Sequence, residues 1–311
     1  MSKILAVFGA TGQQGSSVIN NVLSDSELSQ KYKIRAITRD VESDKAKKLK
    51  AQNVEVVSAD MQNKASLEAA LTGVDFVYIM TTPSFGPDAV EAEFNTAKLI
   101  ADTAVEKGLE YIIFSTLPSV SGMSNGRYTH VTPFDAKAKA EEYIRSLSIK
   151  SAFVSLAYFM ENLQTQPWLG PQPTSDGTYV MSRPVPSKVR LPYLDAVGDV
   201  GKFVGAILAE PDKYEGKTFH AAQGLYSLEE IAAAISKNTG KTVVYRQISY
   251  DEFAKAMPFV PQLWVDGHRA QEEYGYFGPG EEQSTAWAAA QARGRLTTLD
   301  EFLEAHPLQL A

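Results

Sequence analysis

The sequence predicts an α/β protein built on a doubly wound parallel sheet, with a smaller C-terminal lobe. Short apolar runs rich in β-branched residues alternate with amphipathic stretches through the first half of the chain, a pattern typical of parallel strands joined by helices. The runs are apolar on both faces, as expected for strands that helices cover from each side. Beyond about residue 160, prolines and glycines become frequent, which predicts a loop-rich lobe.

The predicted strands and helices of the first half follow one another regularly. In chain order the strands are ILAVF, KIRAIT, VEVVSA, VDFVYIM, YIIFST and SAFVSLA. The helices between them are expected at residues 16–23, 45–50, 67–71, 91–106 and 136–146. This order of elements predicts that one sheet domain occupies the first half of the chain.

The second half is predicted to begin with loops and to continue with helices. The residues that predict the loops are Pro167, Gly170, Pro171, Pro173, Gly177, Pro184, Pro186 and Pro192. Ser227, Ser249 and Thr298 each precede a Glu by three positions, the pattern of a capping box at a helix N-terminus. The runs TFHAA and VVYRQI are expected to be late strands that either close the main sheet or pair within the second lobe.

Length and composition exclude several classes of protein. A chain of 311 residues at 44% hydrophobic content buries a full core. The net charge of -7 repels a phosphate backbone and argues against direct nucleic-acid binding. The absence of Cys excludes disulfides and favours a reducing compartment, the cytoplasm or the nucleus. No apolar run reaches membrane length, and the four His residues lack metal-site spacing, so neither a membrane span nor a metal is predicted.

A glycine-rich turn follows the first predicted strand directly. Gly9, Gly12 and Gly15 lie between ILAVF and the first predicted helix. Glycines allow a tight turn whose backbone N–H groups approach a diphosphate at the positive end of the helix dipole. Because a strand precedes the turn and a helix follows it, the pattern predicts a Rossmann-type dinucleotide site. The GxxGxxG spacing is typical of extended and atypical short-chain dehydrogenases.

The end of the second predicted strand indicates which nucleotide is bound. Arg39 stands where an acid commonly holds the ribose 2'-hydroxyl of NAD, and a guanidinium there pairs with a 2'-phosphate instead. We therefore predict NADP(H), with Asp40 leaving NAD(H) as the alternative. Asp60 and Met61 follow the third strand and are expected at the adenine.

Thr81 and Thr82 follow the fourth predicted strand and are expected between the adenosine and the nicotinamide. These positions lie at the carboxyl ends of parallel strands, where open α/β sheets bind their ligands. We therefore predict an NADP-binding Rossmann domain over residues 1–155 and a substrate or partner lobe over residues 156–311. Some segments of the lobe are expected to return to the Rossmann sheet.

The stretch HVTPFDAKAKAEEY resembles the active-site helix of a short-chain dehydrogenase but lacks its acid. Pro133 stands four positions before Lys137, where the catalytic Tyr is expected, and no Tyr precedes any Lys of the chain by four positions. Carbonyl reduction by the usual Tyr and Lys pair is therefore not predicted. Lys137 is expected to bind the nicotinamide ribose, or to act alone as an acid if burial lowers its pKa. His130 is the alternative proton donor.

Aromatic residues recur in the second lobe, and two interpretations of them stay open. The set comprises Trp168, Trp264, Tyr274, Tyr276 and Phe277. Core packing accounts for most such residues. The alternatives are an apolar lining for a flat substrate and an exposed patch for a partner protein.

Five motifs together resemble the NmrA-like family of atypical short-chain dehydrogenases. They are FGATGQQG, RAITRD, FDAKAKAEEYIR, YFMENL and EEYGYFG, and they span residues 8 to 278. The resemblance implies a dinucleotide-binding protein whose founding fungal members repress genes by binding a GATA-type transcription factor. Related animal proteins resemble NADPH sensors, and other members resemble isoflavone reductase, in which a lone Lys relays the proton. By resemblance, the cofactor contacts fall on Gly9, Ala10, Thr11, Gly12, Gln13, Gln14, Gly15, Arg39, Asp60, Met61, Thr81, Thr82, Lys137, Tyr158, Phe159 and Asn162.

Two functional hypotheses follow from these residues. The first is an NADP(H)-dependent sensor or regulator that acts through a protein partner and is a monomer or a homodimer. This hypothesis is based on an intact glycine turn in a chain that lacks the catalytic Tyr. The second is an NADPH-dependent reductase of a conjugated or imine small molecule, in which Lys137 or a water delivers the proton. Asn95 stands where some sensors carry a cofactor-binding Lys, and Phe159 replaces a Tyr.

Overall fold

The computed structural model describes residues 2–310, and its elements are numbered in chain order. The strands are β1 Lys3–Phe8, β2 Tyr32–Thr38, β3 Glu55–Ser58, β4 Phe76–Ile79, β5 Tyr111–Thr116, β6 Lys150–Leu156, β7 Tyr158–Phe159, β8 Gln172–Pro173, β9 Tyr179–Arg183, β10 Arg190–Leu194, β11 Thr218–Ala221, β12 Gly224–Ser227 and β13 Val243–Gln247. The helices are α1 Gln13–Ser24, α2 Leu28–Lys31, α3 Asp44–Ala51, α4 Lys64–Leu71, α5 Ala89–Glu106, α6 Val120–Met123, α7 Thr132–Arg145, α8 Asn162–Thr165, α9 Ala196–Ala209, α10 Leu228–Thr239, α11 Tyr250–Ala256, α12 Pro261–Tyr274, α13 Glu281–Gln291 and α14 Leu299–Ala305.

The described residues form a seven-stranded parallel sheet in the order β11, β6, β5, β4, β1, β2, β3. The predicted doubly wound α/β fold is confirmed, and all six predicted strands of the first half are present. The direction of winding reverses between β1 and β4, and such a switch point opens a crevice at the carboxyl ends of the strands. The fold therefore places the ligand site beside the glycine turn that follows β1.

Two apolar layers cover the sheet, and β1 contributes to both. Leu5 and Val7 pack into the layer that contains α1 and α9, whereas Ala6 and Phe8 pack into the layer that contains α4, α5 and α7. Successive side chains of a strand point to opposite faces. This alternation explains why the predicted strands are apolar at every position.

The helix α9 is not predicted from the sequence, because three glycines interrupt its pattern. Packing against α1 requires at least one of them: a Cβ at Gly201 would lie 2.2 Å from the carbonyl oxygen of Ser17. Glycine disfavours an isolated helix but lets two backbones approach closely. The close contact of α1 with α9 therefore joins a C-terminal segment to the nucleotide-binding layer.

The C-terminal half divides between the main sheet and a smaller lobe. The run TFHAA forms β11 and closes the main sheet beside β6, whereas VVYRQI forms β13 and pairs with β9 in one of two three-stranded sheets within the described range. Both interpretations of the late strands are thus realised. The division between residues 155 and 156 stays a prediction, because α9 and β11 lie after it in the sequence but pack with the main sheet.

Two of the three predicted capping boxes form completely. Ser227 and Thr298 each accept the N3 backbone N–H, while the N3 Glu accepts the backbone N–H of the capping residue. Ser249 accepts the N–H of Glu252, but within residues 2–310 no return bond to the Glu252 carboxylate is found. All three residues begin helices, as their spacing predicts.

Candidate functional site

The glycine turn is closely packed, and a side chain at any of its three glycines would meet a neighbouring atom. Gly9 has a φ of +64°, and a Cβ there would lie 2.6 Å from the sulfur of Met80. Gly12 precedes α1, and a Cβ at Gly15 would lie 2.3 Å from the carbonyl oxygen of Gly9. The atoms that a side chain at Gly15 would meet belong to the backbone of the turn, so a larger residue there requires the turn itself to shift.

The N-terminus of α1 presents free backbone donors. The N–H groups of Gln13, Gln14 and Gly15 make no hydrogen bond within the described part of the chain. Three adjacent donors at the positive end of a helix suit a diphosphate. The side chain of Gln14 is held by Tyr78, whose hydroxyl donates to its Oε1 at 2.9 Å. The turn therefore offers free N–H donors to an anion, and its contacts with a dinucleotide stay a prediction.

Two cationic side chains lie near the predicted 2'-phosphate position. Arg39 is exposed, and its guanidinium makes no hydrogen bond or ion pair with the residues that the structure describes. Asp40 is already engaged, because its Oδ1 accepts the N–H of Glu42 at 2.9 Å. Lys45 was not predicted: its Nζ donates to the carbonyl oxygen of Thr11 at 3.1 Å, which brings a second cation to the turn.

The residues after β3 and β4 occupy the expected edge of the sheet. Asp60 stabilises a turn by accepting the N–H of Gln62 at 2.9 Å, and Met61 packs against the apolar layer of the sheet. Thr82 is exposed, whereas Thr81 is buried. Contacts of these four residues with a nucleotide stay predictions.

Lys137 is buried and paired with a carboxylate that sequence reasoning did not identify. Lys137 is 5% exposed and Glu93 is 3% exposed, and the Lys137 Nζ forms a short ion pair with the Glu93 Oε1. The Thr81 hydroxyl donates to the same carboxylate oxygen at 2.6 Å. Burial lowers the pKa of Lys137, and the charge of Glu93 offsets part of this effect. The other oxygen of Glu93 has no hydrogen-bond partner among residues 2–310.

Helical spacing contains the information that could have identified Glu93. The buried face of α5 includes Ala89, Glu93 and Ala97, which are spaced by four residues. A charged residue on an apolar face is expected to have a buried partner. Asn95, considered from the sequence, is exposed. The residue of α5 that faces Lys137 is therefore Glu93.

A pocket of about 320 Å³ lies in front of Lys137 and is mainly apolar. Its lining includes Gln14, Pro83, Phe85, Ser115, Thr116, Leu117, Val131, Pro133, Phe134, Lys137, Tyr158, Phe159, Asn162, Phe259, Val260, Leu263, Trp264, Gly267, His268, Gln271 and Tyr276. Within the described range, Lys137 is the only Lys, Arg, Asp or Glu of the lining. Pro133 itself lines the pocket, so the position of the expected Tyr offers no hydroxyl.

The second lobe contributes several polar atoms to the pocket wall. The Gln271 Nε2 donates to the Tyr158 hydroxyl at 2.7 Å, but neither the Gln271 Oε1 nor the Trp264 Nε1 has a partner in residues 2–310. At the mouth, the rings of Phe85 and Phe259 lie 6.3 Å apart and are 55% and 45% exposed. The pocket thus combines an apolar surface with a few unpaired polar atoms, as ligand sites do.

The aromatic set divides between the two interpretations. Trp264 and Tyr276 line the pocket, whereas Phe277 stacks on His220 within the core. Trp168 packs against Phe259 at 5.6 Å between ring centroids. His130 lies outside the pocket lining, and its Nδ1 lies 2.7 Å from the Oδ2 of Asp266 in α12. Of the two candidate proton donors, only Lys137 lines the pocket.

Neither a metal centre nor a membrane span is found in the described residues. No group of three His, Asp or Glu side chains between residues 2 and 310 is arranged as metal ligands. Over the same range, every helix is too short or too polar to cross a membrane.

Sequence comparison relates the chain to one family over almost its whole length. The model of the NmrA-like family matches residues 1–303. An NmrA-like family domain-containing protein of Dictyostelium discoideum is 30% identical over 311 residues, which cover 98% of this chain and 98% of that protein. An NmrA-like family domain-containing oxidoreductase of Aspergillus campestris is 30% identical over 93% of this chain and 89% of its own length.

Structure comparison finds the same fold in nucleotide-binding proteins. NmrA, a negative transcriptional regulator solved in complex with NADP, has a TM-score of 0.81 at 23% identity, over 98% of this chain and 95% of that one. NmrA has also been solved in complex with NAD. The triphenylmethane reductase of Citrobacter sp. in complex with NADP(H) has a TM-score of 0.77 at 20% identity, over 98% and 99% of the two chains. The fold is thus one that holds NAD or NADP(H), as predicted.

Proposed function

Because this chain belongs to the NmrA-like family, we propose that it is an NADPH-dependent oxidoreductase that reduces a flat, conjugated or imine-type small molecule. The observation that carries this proposal is the apolar pocket whose charged lining residue is the buried Lys137. A protein that only sensed a nucleotide would have no need of a second, apolar cavity beside it. The naming of the Aspergillus campestris relative as an oxidoreductase supports the proposal.

The proposed nucleotide contacts follow from the free donors of the glycine turn. The N–H groups of Gln13, Gln14 and Gly15 hold the diphosphate, and Arg39 with Lys45 contacts the 2'-phosphate. Lys137 lies where the nicotinamide ribose is expected. When bound, NADPH supplies a hydride, and the protein's contribution is orientation and the exclusion of water.

Lys137 is proposed to donate the proton that balances the hydride. Burial lowers the pKa of Lys137, so that its ammonium releases a proton more readily than an exposed ammonium does. The Glu93 carboxylate keeps the ammonium in place and limits the fall in pKa. Since Pro133 has no hydroxyl, no other proton donor stands at the position of the usual Tyr.

Steady-state kinetics and calorimetry test this proposal together. NADPH consumption is measured against a panel of quinones, imines and enones, for the wild-type chain and for Lys137→Met. We expect turnover with at least one class and a loss of about a hundredfold in Lys137→Met, the size of a general-acid contribution. Titration calorimetry with NADP is the control for folding and binding. Absence of turnover across the panel by a chain that binds NADPH would refute the oxidoreductase proposal.

A regulatory function is the second proposal, and the pocket mouth is the observation that favours it. Phe85 and Phe259 are large, apolar and exposed, and their rings lie next to each other; contiguous exposed apolar surface marks sites of association. The similarity to NmrA, a negative transcriptional regulator, is compatible with this function. By family resemblance the partner is a GATA-type transcription factor. The cytoplasm and the nucleus, and a monomer or homodimer, remain the predicted location and assembly.

A pull-down with a purified GATA-type zinc-finger domain tests the regulatory proposal. The chain is presented with NADP, with NADPH or without nucleotide, and Phe259→Ser is the variant. Since a ligand shifts binding only by its differential affinity for two states, capture is expected to differ between the nucleotide conditions and to weaken in the variant. Equal capture in all conditions, or none, would contradict a cofactor-dependent regulator.

A further inference from the structure

A second buried cation lies behind the pocket and has no carboxylate partner. Arg183 ends β9 and is 5% exposed. Its Nη1 donates to the carbonyl oxygen of Ser182 at 2.7 Å, and its Nη2 donates to that of Leu169. No Asp or Glu of residues 2–310 lies within ion-pair distance of it.

A buried guanidinium without a counterion is unfavourable in a folded protein. The guanidinium does not lose its proton in proteins, so the charge persists in the interior. Transfer of such an ion from water is strongly unfavourable unless an opposite charge compensates it. The two carbonyl oxygens satisfy some of its donors but supply no negative charge. An anion from outside the chain would supply the missing charge.

A small chamber of about 20 Å³ adjoins the guanidinium. Its lining comprises Tyr158, Asn162, Leu163, Leu169, Arg183, Leu191, Tyr193 and His268. Three of these residues, Tyr158, Asn162 and His268, also line the main pocket. They form the wall shared by the two cavities, so a ligand in the main pocket lies one side chain away from Arg183.

The shared wall is polar and carries no opposing negative charge. His268 is neutral, because burial and the charge of Arg183 lower its pKa to about 3. Its Nδ1 lies 2.8 Å from the carbonyl oxygen of Trp264 and donates to it. The Asn162 amide makes no hydrogen bond with the described residues, although it faces both cavities. The wall therefore offers an uncommitted amide in front of an uncompensated cation.

We propose that this chamber is the carboxylate subsite of the substrate pocket, so that the substrate is a conjugated, largely apolar acid. The chamber is small, about 20 Å³, which favours a carboxylate over a phosphate or a sulfonate, because the carboxylate has the fewest heavy atoms of the three. Asn162 donates to the entering carboxylate, and Arg183 supplies the countercharge. This inference depends on the proposed function in one respect, that the pocket before Lys137 binds the substrate.

The charge of Lys137 does not serve the same purpose. Its ammonium is already paired with Glu93, so a substrate carboxylate there would face a second negative charge. Arg183 has no such competitor. The carboxylate of the substrate is therefore expected to point away from Lys137 and toward the second lobe.

Calorimetry with a matched pair of probes tests the subsite. Cinnamate and cinnamamide have the same flat, conjugated skeleton and differ in the charge of one end. In buffer free of chloride and other small anions, cinnamate is expected to bind at least tenfold more tightly than cinnamamide. Arg183→Met is expected to abolish the preference, and Arg183→Lys to retain part of it. Arg190→Met is the matched control, because Arg190 is an exposed arginine paired with Glu282, and it is expected to keep the preference.

The pH dependence of the preference provides a test that needs no variant. Because the guanidinium does not titrate, the preference of the wild-type chain is expected to stay constant between about pH 6 and pH 9. If the preference for cinnamate disappeared over this range, a titrating group other than Arg183 would bind the carboxylate. Equal affinities of the two probes, failure of cinnamate to bind, or a full preference in a folded Arg183→Met would also overturn the subsite.

The same samples separate this proposal from the proposed oxidoreductase function. NADPH titration and turnover report on the nucleotide and the reaction, whereas the probe pair is measured without nucleotide. A retained cinnamate preference in a chain that does not turn over NADPH would refute the oxidoreductase and leave the subsite intact. Turnover of neutral substrates without any preference for cinnamate would refute the subsite and leave the oxidoreductase proposal intact.

Discussion

The nucleotide side of the site is formed by backbone, whereas the pocket side is formed by side chains that meet across long stretches of the chain. The donors of the glycine turn, Gln13 to Gly15, are consecutive in the sequence. Across the pocket, Lys137 and Glu93 are separated by 44 positions, and Gln271 and Tyr158 by 113. A backbone site needs only a local conformation, but a side-chain site needs the whole fold. The two sides therefore respond to different substitutions.

Glu93→Gln is expected to have the largest effect on stability, and it affects the pocket side. The substitution leaves the Lys137 ammonium buried without a countercharge, which destabilises the fold by about 3 kcal/mol. The pKa of Lys137 is expected to fall further. Chemical denaturation at pH 7 measures the loss.

A double-mutant cycle shows whether this loss comes from the ion pair. Lys137→Met alone also breaks the pair, and the double variant Glu93→Gln/Lys137→Met leaves no unpaired charge. The two single losses are therefore expected to exceed the double loss by about 2 kcal/mol. If the two single losses of stability added up to the double loss, the two side chains would not interact. The pocket side would then not depend on contacts between distant side chains.

The acid sensitivity of the pocket side is the next largest effect. The pKa of His268 is about 3 in the folded chain, against about 6.5 in an unfolded one. Between these values the unfolded chain binds one more proton, so the free energy of unfolding decreases as pH falls. The slope from this residue is about 1.4 kcal/mol per pH unit.

His268→Asn is therefore expected to flatten the acid limb of the stability curve between about pH 6 and pH 4. Denaturation at several pH values measures this limb in the wild-type chain and in the variant. His306→Asn, at an exposed histidine, is the matched control. If His268→Asn and the wild-type chain lost stability with the same slope, His268 would not be the group responsible.

Gly15→Ala is expected to have the largest effect on the nucleotide side. A Cβ at this position would lie 2.3 Å from the Gly9 carbonyl oxygen and 2.8 Å from the Ala10 Cα, both backbone atoms. Overpacking of this kind destabilises a protein by about 1–3 kcal/mol. Displacement of the turn is also expected to weaken NADP binding by more than tenfold, measured by calorimetry. Unchanged affinity would show that the turn does not hold the diphosphate.

The same difference explains why the nucleotide side could be predicted from the sequence more completely than the pocket side. The strand β1, the glycine turn and α1 were predicted because glycines, a buried run and an amphipathic stretch are consecutive in the sequence. Helix starts were less accurate: α7 begins at Thr132 rather than at residue 136. A proline suggests a break, although the first turn of a helix accepts one.

The features that were not predicted depend on contacts between distant residues. Glu93 resembles a solvated charge until its position on the buried face of α5 is considered. Nothing in the sequence near Arg183 indicates that no acid lies beside it. The helix α9 was missed because its glycines are explained by α1, which lies far away in the sequence. Tertiary packing decides each of these cases, and a single sequence contains no local pattern for it.

Arg39→Ala tests a side chain on the nucleotide side of the site, where most of the proposed contacts come from backbone. The guanidinium is exposed and unpaired among the described residues, so its removal should leave stability unchanged. Loss of its charged hydrogen bonds to a 2'-phosphate is expected to weaken NADP binding about tenfold. NAD affinity, measured by the same calorimetry, is expected to change less than twofold. An equal loss for both nucleotides would show that Arg39 does not recognise the 2'-phosphate.

Gly267→Ala is expected to have the smallest effect, and it repeats the Gly15 substitution on the pocket side. Gly267 lies within α12 and lines the pocket, and a Cβ there would meet no described atom within 4 Å apart from its chain neighbours and the nearby backbone of its own helix. Alanine favours a helix interior by up to about 1 kcal/mol over glycine, so a small rise in Tm is expected. NADP affinity should not change, because the methyl group enters the pocket rather than the turn. A destabilisation as large as that of Gly15→Ala would mean that the pocket wall is packed as tightly as the glycine turn, and that the free space assigned to a substrate is absent.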